Sequence, residues 1–236
     1  PAPRSSDFGL PTSDFRLPTS NPRLTSMLLK KNEIESLERK YKLNLINSIS
    51  GIKPANLIGT RSTDQQDNVA IFSSVVHLGS NPAQIGFIMR PQTEESSGNT
   101  YPNIMTTGYY TINHVSESFI KKAHYTSAKL EKDNSEFDRM KLKRVFLDDF
   151  HAPFVEGSAV KIGMKHMTSI PLPNDCIFVI GTVELIAFPN DSINELGQLD
   201  LASYSCAGIS GLNTYYGINK LDSFPYVRNH QIPEFE

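Results

Sequence analysis

The stretch 56–130 constrains the fold most. It holds three strand-like runs, 56–60, 68–74 and 86–91, the last closed by Arg90-Pro91. A short helix opened by Thr100-Tyr101-Pro102-Asn103 follows, and then Ala123-His124-Tyr125-Thr126-Ser127-Ala128 on another helix. The segment 69–78 is rich in β-branched and aromatic residues, and Ile85, Phe87 and Met89 alternate with Gln84, Gly86 and Arg90. Beyond Gly108, the run 109–115 is again β-rich. Val160, Ile162 and Met164 alternate with Lys161 and Lys165, the mark of a half-buried strand. A long apolar strand over 176–188 stops at Pro189. Helices enter only as insertions, at about 32–43, 101–107 and 116–130. Strands that follow one another this closely suit a closed or split antiparallel barrel better than a βαβ sheet. The expected fold is mainly β with inserted helices.

Composition removes several classes of function. A formal net charge of −2 offers no basic field for nucleic acid. No apolar run approaches the ~18 residues of a membrane span. No N-terminal hydrophobic stretch reads as a signal peptide, and a cytoplasmic protein is expected. Cys176 and Cys206 have neither metal-knuckle nor CxxC spacing and read as buried thiols in a reducing compartment. The six histidines are scattered without HExxH, so no metal site is expected. There is no Gly-x-Gly-x-x-Gly and no Walker loop. Gly208-Ile209-Ser210-Gly211 only half resembles a nucleophile elbow and reads as a turn making a close approach.

The first residues repeat. Ser6-Asp7-Phe8-Gly9-Leu10-Pro11-Thr12 is followed by Ser13-Asp14-Phe15-Arg16-Leu17-Pro18-Thr19, and a decayed third copy begins at Ser20. A proline in each copy rules out a continuous helix, so 1–26 is expected to be an extended arm. No linker is visible over 27–236, which is expected to form one domain. Its first helix, over 32–43, carries an Asn32/Glu35 capping-box pattern with Ile34, Leu37 and Tyr41 on one face.

The segment around Thr100 has the makings of an anion site. Thr100 is a good N-cap and Pro102 is tolerated in a first turn, so the helix start would offer free N–H groups and partial positive charge. An ordinary capped helix is the alternative. Gly98-Asn99 gives a close-approaching backbone, and Arg90 ends the preceding strand with a guanidinium fork. The helix over 116–130 starts at Ser116 with Glu117 in its first turn, and Ala123, Ser127 and Ala128 make it narrow. A ligand, a second chain or the protein's own barrel would fit against that face.

Taken in order, 56–60, 68–74, Arg90-Pro91, Thr100–Asn103 and 123–128 resemble the flavin reductase-like family, over about 43–216. The resemblance implies an FMN-binding split barrel of Greek-key type. It implies that 68–74 lines the flavin, with backbone groups at the ring edge and hydroxyls near the ribityl-phosphate tail. The cofactor-binding residues it implies are Thr60, Ala70, Ile71, Phe72, Ser73, Ser74, Arg90, Thr100, Asn103, His124 and Ser127. Tyr215 or Tyr216 is expected to cover the site mouth or to be a buried aromatic with its hydroxyl satisfied. Family members commonly carry a further basic residue in the loop before the threonine. This chain has none over 92–99, which implies exchangeable cofactor or a basic group from elsewhere, such as Lys129. The implied activity is hydride transfer from NAD(P)H to flavin in a homodimer, the reduced flavin passing to a downstream electron acceptor. No catalytic acid or base is required. An FMN-carrying electron-transfer protein and a non-enzymatic split-barrel binding protein are the alternatives.

Overall fold

The computed structural model describes residues 26–93, 98–130 and 134–235, so the N-terminal repeat lies outside the described residues. The chain divides into two units, 1–38 and 39–236. In the first unit, α1 (Lys31–Ser36) begins with the Lys30 N–H donating to the Glu33 carboxylate at 2.7 Å, two residues earlier than the expected Asn32/Glu35 pair. The single helix expected over 32–43 ends at Leu37, whose backbone is extended (φ −60°, ψ 146°). A second helix, α2 (Arg39–Ser48), opens the second unit.

That unit is built on strands. They are β1 (Lys53–Pro54), β2 (Asn56–Arg61), β3 (Asp67–Phe72), β4 (Val76–Ser80), β5 (Ala83–Met89), β6 (Tyr109–His114), β7 (Arg144–Val145), β8 (Phe154–Val155), β9 (Lys161–Pro171), β10 (Ile177–Ala187), β11 (Ala207–Ser210) and β12 (Thr214–Gly217). Seven form one sheet in the order β3-β2-β6-β9-β10-β5-β4, antiparallel throughout. A smaller sheet runs β1-β11-β12, and β7 pairs with β8. Inserted helices are α3 (Thr100–Thr107), α4 (Ile120–Tyr125) and α5 (Glu136–Arg139). The mainly β reading with inserted helices holds.

Connectivity then dictates curvature. β3 and β4 are the two outer strands of the large sheet, yet only Ser73, Ser74 and Val75 join them. A link that short spans at most about 14 Å. Seven flat strands would put their outer edges roughly 29 Å apart. The sheet must curl until its edges nearly meet, and Phe72 of β3 does lie edge-on to Phe87 of β5 at 5.1 Å between ring centres. The edges meet without pairing to each other, so the barrel is open along that line. The expected continuous strand over 69–78 is therefore two strands at opposite edges. Ser73-Ser74 are in the joint and not at mid-strand.

Strand β2 is buried on both faces and separates two cores. On one face Ile58 packs with Phe87, Ile104, Tyr110, Ile112, Met164 and Val179. On the other, Leu57 packs with Val69, Val115, Ala123, Phe137 and Val155, beneath α4, α5 and β11. Alternating side chains make this division automatic. Asn113 on β6 ties the layers, donating to the Leu57 carbonyl at 3.1 Å and accepting from the Val155 N–H at 2.9 Å. The segment 208–211 is a strand ending in a turn, with Gly211 at φ +62° and Gly208 against Ile52. Cys206 is buried, Cys176 half-buried, and both are free thiols. Among the described residues no helix is long and apolar enough to cross a membrane.

Gly59 gives this packing a sharp test. A Cβ there would meet the Pro153 carbonyl oxygen and sit 2.6 Å from Thr111 Oγ1, which itself donates to that carbonyl at 2.7 Å. Gly59→Ala is expected to lower stability by about 1–3 kcal/mol through overpacking. Urea unfolding measures it, and an unchanged midpoint would contradict the packing of β2 under the 152–154 segment.

Candidate functional site

The outer edge of β3 is the distinctive surface. In an antiparallel pair, alternate residues turn both N–H and C=O away from the partner strand. Asp67 and Val69 face outward, because Ser135 Oγ donates to the Asp67 carbonyl at 2.6 Å and the Val69 N–H donates to Glu136 Oε2 at 3.4 Å. Both partners come from the start of α5. By the same alternation Ile71 is next in line, and no group among the described residues meets its outward N–H and C=O. Ile71 thus keeps an unmet donor and an unmet acceptor together on one residue of this edge. Around it, Ile71 and Tyr215 pack on the same core. The Tyr215 hydroxyl lies 3.2 Å from His124 Nδ1, and the two rings stand edge to face. Burial pushes the Tyr215 hydroxyl up to about 12, so it stays protonated and can donate to the imidazole.

At the other side of the joint, Ser74 Oγ accepts from the Ile88 N–H and donates to the Ile88 carbonyl, both at 3.1 Å. One side chain thus replaces the strand partner that β5 lacks beyond β4. That places Arg90, two residues on, beside 73–75. Arg90 is exposed and forms no ion pair with any described residue. The Ser74 hydroxyl is consumed by Ile88, and the Ser73 hydroxyl bonds to no group among the described residues.

Thr60, Thr100 and Asn103 come together, but inward. The network orients the Asn68 amide so that its oxygen accepts from Thr100 Oγ1 and its nitrogen donates to Glu136 Oε2, each at 3.0 Å. Asn103 Nδ2 donates to Thr60 Oγ1 at 3.1 Å. All of these residues are buried. Their side chains pin the first turn of α3 to β2 and β3, and Asn68 and Asn103 also border a cavity of about 240 Å³ shared with Asn99, Ser135 and Arg144. The helix begins at Thr100 after Asn99, which makes no side-chain cap bond, so Thr100 is inside the first turn and not its cap. Its hydroxyl is turned to Asn68 instead. Ser116 caps only a single turn, Glu117–Phe119, and α4 ends at Tyr125; the helix expected over 116–130 is much shorter. Ser127 is exposed past its end, its hydroxyl on the His124 carbonyl at 2.8 Å. Ala70, Ile71 and Phe72 are half-buried on β3, the alternate side chains divided between the two cores.

Sequence reading missed Glu136, Ser135 and Asp67. Asp67 is buried and held by Arg61 (2.7 and 3.0 Å) and Arg144 (2.9 Å), with Arg144 also on Asp138. Arg61 in turn lies over the Phe146 ring at 4.1 Å. The acidic first turn of the Glu136 segment was its only sequence signal.

Burial holds the Glu136 carboxyl above the usual carboxylate range, against the hydrogen bonds that lower it. The folded state therefore binds this proton more tightly than the unfolded chain. Its contribution is most favourable below the unfolded value near 4.5 and is lost as pH rises through the raised folded value. Glu136→Gln keeps an acceptor for Val69 without the buried charge. The melting temperature of the variant, measured relative to the parent, should climb between pH 5 and pH 8. A constant difference across that window would contradict a strained buried carboxylate.

Comparison with known proteins supplies the remaining context. A flavin reductase like domain matches residues 52–201. A protein from Shewanella frigidimarina, described as a flavin reductase with a split barrel domain, is 41% identical over 86% of this chain and 100% of its own, with a TM-score of 0.82. Nitrilotriacetate monooxygenase component B from Bacillus cereus is 17% identical over 87% and 100% (TM-score 0.74). Flavoredoxin of Desulfovibrio vulgaris is 20% identical over 74% and 91% (TM-score 0.64). These last two likenesses are of fold. No curated protein matches the chain. The open antiparallel barrel is the split barrel, the order of segments resembled the right group, and the chain belongs to the flavin reductase-like family.

Proposed function

We propose that this flavin reductase-like protein binds FMN and uses NAD(P)H to reduce flavin, as a homodimer in the cytoplasm. The observation that carries the reading is the unmet donor–acceptor pair of Ile71, on an edge where the start of α5 has already taken the Asp67 carbonyl and the Val69 N–H. The pyrimidine edge of a flavin needs adjacent donors and acceptors, and a strand backbone provides them. The residues present fit the group. Ile71 would meet the ring edge, Ser73 the ribityl chain and Arg90 the phosphate, with the free N–H groups of the α3 start nearby. When bound, a flavin supplies two-electron redox chemistry, and no side chain of the protein need act as acid or base.

The chain's own part is placement. Thr60, Asn68, Thr100 and Asn103 fix the start of α3. Ser74 fixes the strand end that carries Arg90. Tyr215 holds His124 in one orientation beside the β3 edge, where the pair would exclude water and bound the space over the ring. Without a basic residue among the described loop residues 92, 93, 98 and 99, Arg90 carries the phosphate charge, and exchangeable FMN follows. Two free thiols suit a reducing compartment. Val76, Leu78, Met167 and Ile170 are exposed on the sheet, apolar surface of the kind a second copy covers.

FMN fluorescence should be quenched with one flavin per chain. Absence of quenching at tens of micromolar would reject the reading. Arg90→Ala should weaken FMN about ten- to a hundredfold while leaving riboflavin, which lacks the phosphate, nearly unchanged. Equal losses for both ligands would make Arg90 structural. FMN binding with no oxidation of NADH or NADPH would favour an electron-carrying protein instead.

A further inference from the structure

Two apolar surfaces of the second unit stay exposed among the described residues. One is α2 and the residues after it. None of the helix is buried, and Leu43, Ile46, Ile49 and Ile52 are all exposed. A helix of this length is marginal unless a packed face supports it. The other is the chain beyond β12. It carries Leu221, Phe224, Tyr226, Val227, Ile232 and Phe235, with Leu221 95% and Tyr226 91% exposed. From 218 to 228 it has no regular structure and pairs with no strand.

We propose that the C-terminal tail, 219–235, crosses to a second copy of this chain and packs on that copy's α2 face, each copy giving and receiving one tail. The two surfaces are continuous. Ile218 at the root of the tail and Ile52 beyond α2 line one apolar pocket of about 210 Å³ with Pro54, Ala55, Leu201 and Ala207. A patch that carries both halves of a contact is what a two-fold pairing requires. Reach is sufficient, because a chain of this length extends to about 55 Å at roughly 3.3 Å per residue. Area is sufficient too. Phe224, Tyr226 and Phe235 each carry on the order of 150–250 Å². With Leu221, Val227 and Ile232 the tail approaches the roughly 800 Å² per partner of a standard interface. The tail does not cover α2 of its own chain, since both remain exposed there. The inference rests on the homodimer proposed above and specifies which elements hold it.

Sedimentation of the full chain, and of a chain ending at Ile218, tests it. The truncated chain should dissociate at concentrations roughly thirtyfold higher or more, the scale of losing a cluster of anchoring side chains. Phe224→Glu with Tyr226→Glu in the full chain should reproduce the effect if truncation impairs folding, as circular dichroism would reveal. Benzoylphenylalanine in place of Phe224, in a mixture of two differently tagged copies, should cross-link one copy to residues 43–52 of the other. An unchanged dissociation constant, a cross-link within one chain, or a cross-link to residues 1–25 would overturn the tail exchange and leave the dimer standing. A full chain sedimenting at 26.3 kDa would overturn both.

Discussion

Everything in the large sheet depends on one short covalent link. Ser73, Ser74 and Val75 join the two strands that lie furthest apart in the sheet order, so the sheet cannot exist without curling. Curling brings Phe72 against Phe87 and creates the enclosed core of Ile58, Tyr110, Ile112 and Met164. It also brings the ends of β3 and β5 side by side without letting them pair. A hydrogen-bonded closure would leave no open edge. A longer link would let the edges drift apart and lose the enclosed core.

Polar groups hold what curvature leaves open. Ser74 satisfies both backbone groups of Ile88, and Ser135 and Glu136 satisfy the Asp67 carbonyl and the Val69 N–H. Behind them Asp67 is held by two guanidiniums at little exposure, a geometry in which removing either arginine leaves a buried charge short of partners. Among the described residues the carboxylate of Glu136 has no such cation. It is tolerated because it accepts from Val69 and Asn68, and so links α5, β3 and the start of α3 through Asn68 and Thr100.

Periodicity made the strands of the large sheet readable, since alternation over five or more residues survives any tertiary context. It could not tell that 69–78 is two strands, because Val69, Ala70, Ile71, Phe72, Ser73, Ser74, Val75 and Val76 contain no glycine or proline to mark a break. The break is imposed by closure of the sheet. Elements of two to four residues, such as β7, β8 and α5, are too short to carry a period at all. The segment order singled out Ile71, Ser73 and Arg90, which the fold carries to one open joint. It could not tell that Thr60, Thr100, Asn103 and Ser74 spend their side chains on the protein itself, since a hydroxyl facing inward and one facing outward look alike in sequence. Glu136 was invisible for a different reason. Its significance is burial, and burial of a carboxylate on a four-residue helix depends wholly on what lies across from it.

The rationing of the β3 edge has a consequence for the company this protein keeps. Exposed strand edges recruit other strands, which is how sheets aggregate. An added strand would need a clear row of free backbone groups, and here the start of α5 occupies the Asp67 carbonyl and the Val69 N–H while the chain bends away after Phe72. What remains at Ile71 is too short for a polypeptide to zip onto and about long enough for one side of a small flat heterocycle. The edge therefore discriminates by length between a neighbouring chain and a planar molecule.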